Sequence, residues 1–201
     1  MKKTIQLTAF LLLLAAAAGA QTKQDSLDLL RDMEAYKRVT FSLHYDSLLY
    51  FMPPAMFDLV TKSDLKEQLR SSFENEMVKV GFDSFEYLQL RPLGKAGEHL
   101  YAIVPYNAAI TMTLTDTSDD AMVGMVLMAM RVQFGSENVT QTPSKAMLIK
   151  TPNKKMIAIK SPGFDSWKFI EDKREGTMPS DAQTQQLVEK VIPQEVLDAT
   201  K

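Results

Sequence analysis

Residues 106–115 read Tyr-Asn-Ala-Ala-Ile-Thr-Met-Thr-Leu-Thr, and this stretch decides the fold class. Its even-numbered positions are apolar, whereas four of its five odd-numbered positions are Asn or Thr. A period of two is typical of a β-strand that buries one face and exposes the other. Pro105 lies just before the stretch and indicates an edge or a bulge, because proline has no N–H to donate. The stretch therefore predicts one strand of an antiparallel sheet.

The segment between Ser26 and Met52 has a helical period instead. Its apolar residues recur every three or four positions and predict an inward face made of Leu27, Leu30, Met33, Tyr36, Phe41, Tyr45, Leu48 and Leu49. We expect one helix or a broken pair, which ends at Pro53-Pro54. Ser63 then offers an N-cap for a further helix that turns Leu65, Leu69 and Phe73 inward.

From Val78 the period of two returns, and its phase slips at Asp83-Ser84, which predicts a β-bulge. Gly94–Gly97 predicts a hairpin turn. Three further strands are expected near Ala146–Lys150, Met156–Lys160 and Trp167–Glu171. Turn residues separate them, at Thr151–Lys154 and at Ser161-Pro162-Gly163. Helices followed by consecutive antiparallel strands predict an α+β fold, and a short amphipathic helical tail follows from about residue 180.

The first twenty residues have a different character from the rest of the chain. A basic start, an apolar run and the small residues Ala18-Gly19-Ala20 follow one another in the order of a secretory signal peptide. We predict cleavage after Ala20, and a single α+β domain over residues 21–201. The protein would then be exported to the periplasm or the cell exterior. We expect a soluble product and no lipoprotein, because Gln21 rather than cysteine follows the cleavage point.

Composition excludes several kinds of chemistry. The chain has no cysteine, so disulfides, catalytic thiols and thiolate metal sites are excluded. Without residues 1–20 it carries 21 basic and 25 acidic residues, which argues against nucleic-acid binding. Its two histidines, His44 and His99, lie outside any zinc-binding spacing, and His99 is expected to be exposed. We therefore expect no metal site, no cofactor and, beyond residue 20, no transmembrane helix.

Two segments resemble a known superfamily. A helix carrying Asp46-Ser47-Leu48-Leu49-Tyr50 breaks at Pro53-Pro54 and resumes at Ala55–Val60, and Trp167–Glu171 follows a Pro-Gly turn. This order resembles small secreted proteins of the nuclear-transport-factor-2-like superfamily, of the type found in the Bacteroidota. The resemblance covers most of residues 33–172. It implies N-terminal helices packed on a curved, mainly antiparallel sheet that forms a cone with a pocket.

The resemblance also leaves two functional hypotheses open. Superfamily enzymes of the isomerase and dehydratase kinds use acid–base residues inside the cone, and His44, Asp46 and Tyr50 offer those residue types here. The helix period turns His44 and Asp46 toward the flanks of the helix, which favours surface residues over a catalytic set. Our first hypothesis is therefore an exported, non-catalytic protein that binds a small apolar ligand or a protein partner in the cone. An isomerase- or dehydratase-type enzyme is the alternative.

The segment from Ala121 to Phe134 is unusually rich in methionine. Ser118-Asp119-Asp120 predicts the start of a helix there, and Gly135 predicts its end. Apolar residues lie on nearly every side, among them Met122, Met125, Met128 and Met130. Such a helix is usually buried in a core, which is our prediction. Methionine clusters also form adaptable binding surfaces, and this interpretation is the alternative.

Overall fold

The structure is a computed structural model that describes residues 23–116, 119–172 and 179–200. The predicted signal peptide lies outside the described residues. The helices come first, as α1 (Lys23–Phe41), α2 (Tyr45–Tyr50), a 3-10 helix (Pro54–Asp58) and α3 (Lys62–Phe73). Of the two predicted forms, one helix or a broken pair, the chain has the broken pair, and the break lies at Leu43, which has a positive φ of 49°. The cap of α3 is Thr61 and not Ser63, because the Thr61 hydroxyl accepts the N–H of Asp64 at 3.1 Å.

The inward face predicted for α1 is partly wrong. Leu27 and Leu30 are about half exposed, whereas Leu29 and Met33 are buried. The reason is Asp32, whose buried carboxylate accepts the backbone N–H of Trp167 at 2.8 Å. A polar residue on the inner face rotates the helix away from the orientation that its apolar residues alone would select.

Six antiparallel strands form one curved sheet that does not close. They are β1 (Val78–Tyr87), β2 (Arg91–Ala96), β3 (His99–Leu114), β4 (Val139–Gln141), β5 (Met147–Lys160) and β6 (Lys168–Glu171). The long strands β3 and β5 pair with each other in the centre of the sheet. The outer side of β3 pairs with both β1 and β2. The outer side of β5 pairs with both β4 and β6. The sheet therefore has two ends, one with β1 and β4 and the other with β2 and β6.

The predicted bulge in β1 is confirmed, since the β1–β3 register shifts between Phe82 and Ser84. The predicted turn at Thr151–Lys154 is wrong. These residues lie inside β5, where Asn153 has a φ of 57° and donates its backbone N–H to the Asn107 side chain at 3.0 Å. Pairing with β3 on both sides of this irregularity keeps β5 continuous.

The hairpin between β2 and β3 turns later than predicted. Gly94 lies in β2 beside a register shift, and the turn itself is at Gly97, with a φ of 60°. Pro105 lies in the central strand β3, beside the break between β1 and β2. Its carbonyl accepts the N–H of Leu88 in that break at 2.8 Å. The missing N–H of the proline faces the same side, so it costs no ladder hydrogen bond.

Helices cover the two ends of the sheet differently. On one face, α1 packs over the centre and the β2/β6 end, and α4 (Asp120–Phe134) packs over the β1/β4 end. On the opposite face, the described side chains of α5 (Pro179–Val191) and α6 (Gln194–Ala199) pack at the β2/β6 end. The predicted α+β fold with a short C-terminal helical tail is confirmed. None of the described helices combines the length and apolar character needed to cross a bilayer.

Candidate functional site

The acid–base candidates lie on the surface of α2, each with its own partner. His44 caps the helix, and its Nδ1 accepts the backbone N–H of Ser47 at 3.3 Å. Asp46 forms an ion pair of 2.8 Å with Lys66, and this hydrogen bond lowers the pKa of the Asp46 carboxyl. Tyr50 is half exposed, and its ring lies 4.0 Å from the Lys168 ammonium. The three side chains contact three different partners rather than one common reacting atom.

His99 is half-buried, and its prediction as an exposed turn residue is wrong. It begins β3, and its Nδ1 is hydrogen-bonded to the hydroxyl of Ser161. A histidine beside a serine is the pairing that activates nucleophiles. Ser161 is only 6% exposed, however, and it directly follows β5. The hydrogen bond therefore ties the ends of two paired strands together and leaves the hydroxyl covered.

A buried lysine joins α2 to β6. The Lys168 ammonium donates to the carbonyl of Tyr50 at 2.7 Å and to the hydroxyl of Ser166 at 3.0 Å. Burial lowers the pKa of Lys168. These acceptors and the Tyr50 ring surround the cation and compensate for its burial. The group therefore stabilises the junction of helix and sheet.

Aromatic side chains fill the space between α1 and the sheet. Phe51 and Phe169 lie 6.0 Å apart between ring centroids, and Tyr36 packs against both. Phe85 stacks on Tyr106 with centroids 4.6 Å apart. Trp167 is fully buried in the same cluster. In this part of the chain the space beneath α1 is thus packed with protein side chains.

Helix α4 is positioned by strong local signals. The Asp119 carboxylate accepts the N–H groups of Ala121 and Met122, and Gly135 follows the helix with a φ of 89°. Asp120, Arg131 and Gln133 are its only polar residues. One side of the helix packs on the sheet through Val123, Val126, Leu127, Met130 and Phe134. Those positions recur every three or four residues and so share one face.

The opposite side of α4 is apolar and exposed. Met125 is 66% exposed, Met128 is 67% exposed and Val132 is 87% exposed. Together with exposed Ala121, these residues are spaced by four, three and four positions and form a line that we call the outer stripe. The prediction that this helix is buried core is therefore wrong, because only its inner face is covered within the described residues.

An exposed line of large apolar side chains is unusual for a surface helix. Contiguous apolar patches on a protein surface mark sites of interaction. Leu27 and Leu30 of α1 are also exposed, yet charged residues flank them, with Asp28 and Arg31 joined by an ion pair of 2.9 Å. The outer stripe, by contrast, continues for about three helical turns. It is the strongest candidate for a binding site.

The described residues do not bring three His, Asp or Glu side chains together where they could hold a metal ion. Comparison with known proteins adds no relative: no protein-family model matches this chain, and neither does any curated protein. The candidate site therefore rests on the geometry of α4 alone.

Proposed function

We propose that this protein is an exported, non-catalytic member of the nuclear-transport-factor-2-like superfamily that binds a protein partner through the outer stripe. The observation that carries the proposal is the exposure of Met125, Met128 and Val132 along one line of α4. The order of helices and strands supports the superfamily. The basic, apolar and small-residue order of residues 1–20 supports export.

The shape of the site favours a protein over a small ligand. Small-molecule sites are concave and surround most of the ligand. The outer stripe lies on the convex outer surface of a helix, whereas aromatic rings such as Phe169 and Trp167 fill the space between α1 and the sheet. A helix that presents apolar residues at intervals of three and four positions matches the way helices pack into protein grooves.

The chemistry of the stripe suits such an interface. Burying one large apolar side chain contributes about 1.5–3 kcal/mol relative to its exposed state. Association itself costs at least about 4 kcal/mol, so three such residues support a modest affinity. Methionine adapts its shape to the surface that it meets. We therefore expect a reversible complex rather than a permanent one.

Oxidation of methionine by peroxide in the native host tests the proposal. Met77 is 72% exposed and lies outside α4, so it serves as an internal control in the same chain. In diluted, purified protein the three methionines should be oxidised at similar rates. In the host we expect Met125 and Met128 to be oxidised several times more slowly than Met77, as read by mass spectrometry. Equal rates in the host would contradict the proposal.

A further inference from the structure

The outer stripe has the properties of a surface that can bind a copy of itself. We infer that two copies of this chain associate through antiparallel α4 helices, stripe against stripe; this rests on the proposed function, in which the stripe is a protein interface. A two-fold interface uses the same patch on both subunits, so each residue must meet a complementary one. The outer stripe satisfies this condition in the sizes of its residues, and the flank of α4 beside it satisfies the condition in charge.

The sizes of its residues are complementary under a two-fold axis. When the axis passes between Met125 and Met128, an antiparallel pair places Ala121 of each copy opposite Val132 of the other. Met125 of each copy then meets Met128 of the other. Small residues thus face large ones at both ends, and flexible methionines meet in the middle. A Cβ built on Gly124 would have no neighbour within 4 Å, which leaves room for a close approach.

The charges select the antiparallel orientation. Asp120 and Arg131 are eleven residues apart, which is about three turns, so they lie on the same flank of α4. The Asp120 side chain is 86% exposed even though Lys145 binds it at 2.7 Å, and Arg131 is exposed as well. Antiparallel pairing sets Asp120 of each copy beside Arg131 of the other. Parallel two-fold pairing would instead place this flank of the two copies on opposite sides of the contact, so Asp120 and Arg131 would not meet, and it would align the two helix dipoles.

The complex should be weak and concentration-dependent. A contact based on a single pair of helices is smaller than the standard protein interface of about 1,600 Å². Interfaces of that standard size bind with micromolar affinity or better, so we expect a dissociation constant of about 1 µM or above. Analytical ultracentrifugation of the purified exported protein, up to about 1 mM, covers this range.

The first experiment compares two double variants. M125E/M128E places four carboxylates in the proposed dimer contact and should remain monomeric at every concentration. L27E/L30E adds the same charges to exposed positions on α1, so it should dimerise like the unchanged protein. A monomeric unchanged protein at about 1 mM would overturn the inference. So would a dimer that survives M125E/M128E.

The second experiment exchanges charges across the contact. D120R and R131E should each weaken the dimer about tenfold or more, because each places two like-charged pairs in the contact. A one-to-one mixture of the two variants should dimerise again, since both pairs are then opposite in charge. A misfolded variant cannot produce this recovery. A mixture that dimerises no better than either variant alone would overturn the antiparallel pairing.

A third measurement does not depend on changed charges. The chain has no cysteine, so M125C and M128C each introduce a single thiol. A short bismaleimide should join a mixture of these two variants more efficiently than it joins M125C to itself. Preferential joining of M125C to M125C would overturn the antiparallel arrangement.

Failure of this inference is distinguishable from failure of the proposed function. Met125 and Met128 could be oxidised as fast as Met77 in concentrated purified protein and yet be protected in the host. A different protein would then cover the outer stripe, and the inference that a second copy covers it would be wrong. Protection that persists at every dilution would instead show that a segment of the same chain covers it, which also overturns the inference. Rapid oxidation in the host contradicts both proposals.

Discussion

Helices α1 and α4 lie on the same face of the sheet but differ in what they present to solvent. The even-numbered residues of β3 point to this face along its whole length: those up to Ala108, such as Tyr106, pack in the cluster under α1, and those from Ile110 onward pack in the cluster under α4. The outer side of α1 carries charged residues such as Asp28 and Arg31. The outer side of α4 carries methionine and valine. The outer side of α1 is therefore polar, as expected for a helix that faces solvent. The outer side of α4 is apolar, as expected for a helix that packs against a second neighbour.

The two ends of the sheet also differ in how many of their faces are covered by helices. At the β2/β6 end, Ala158 packs toward α1 and its neighbour Ile157 packs toward α5 and α6, so three layers are present. At the β1/β4 end, α4 covers one face, and Thr111 and Thr113 lie on the other. Among the described residues this end therefore lacks the helical layer that α5 and α6 form at the other end, and α4 is also uncovered on its outer side. The second copy inferred above would cover that outer side through the outer stripe.

The largest expected effect is at the three-layer end. Trp167 is fully buried, and truncation of such a residue removes its contacts and leaves a cavity. We expect Trp167→Ala to lower the free energy of unfolding by about 3–5 kcal/mol, measured by urea denaturation with circular dichroism. Met125→Ala should stay within about 0.5 kcal/mol at protein concentrations where dimers are absent. If Trp167→Ala lowered the free energy of unfolding no more than Met125→Ala does, the proposed difference in packing between the two ends of the sheet would be wrong.

The second prediction compares the two sides of α4 with one chemical change. Val123 is 2% exposed and Val132 is 87% exposed. Val123→Ala should cost about 2 kcal/mol, because it removes two buried carbon groups and leaves a cavity. Val132→Ala should be neutral or stabilising by about 0.5 kcal/mol, since alanine is the better helix former. Equal losses in dilute protein would show that the outer stripe is covered within the single chain.

Sequence patterns predicted the elements whose signals are local. The capping run Ser118-Asp119-Asp120 and Gly135 predicted the bounds of α4, and the phase slip at Asp83-Ser84 predicted the bulge in β1. The continuity of β5 could not be predicted, because pairing with β3 overrides the turn residues Pro152-Asn153. The rotation of α1 could not be predicted either. It depends on Asp32 meeting a backbone N–H that lies 135 residues away in sequence.

The candidate site was visible in the sequence, but its exposure was not. A helix that is apolar on all sides has two faces that can be buried, and the spacing of Val123 and Met130 is as regular as that of Met125 and Met128. Which face is buried depends on how α4 is rotated against the sheet, and whether the other face is also covered depends on what packs outside α4. Both follow from the tertiary arrangement.

The third prediction uses the tyrosines at the α1 side of the sheet. Burial raises the pKa of Tyr36 to about 12, and it raises the pKa values of Tyr87 and Tyr106 as well. The stability that these phenols contribute is fully present below about pH 10 and is lost as pH rises through the folded pKa values. Each tyrosine should lower the free energy of unfolding by about 1.4 kcal/mol per pH unit in that range.

Denaturation at pH 9, 10 and 11 measures this slope. Tyr87→Phe removes the hydroxyl that donates to the carbonyl of Met33 at 2.6 Å, so the slope should fall by the share of one tyrosine. No tyrosine packs in the cluster of described residues beneath α4. Alkaline unfolding should therefore begin at the α1 side, as followed by NMR signals from both ends. Earlier loss of the α4 signals would reverse the comparison.

The smallest expected effect concerns the polar surface of α2, where the Lys66 ammonium lowers the pKa of the exposed Asp46 carboxyl. This ion pair contributes stability above the unfolded-state pKa of Asp46, and the contribution is lost as pH falls through the folded pKa. Lys66→Ala should raise the pKa of Asp46 toward about 3.9, measured by NMR titration of the carboxyl, and high salt should have the same effect in the parent. Lys62→Ala is the matched control, because Lys62 lies over the Phe57 ring 4.8 Å from its centroid and should leave the Asp46 pKa unchanged.

A pKa of Asp46 well above 3.9 in the parent would mean that Lys66 does not hold the carboxylate. The Asp46 carboxylate would then have the raised pKa of a general base. That result would favour the acid–base hypothesis over a structural role for Asp46.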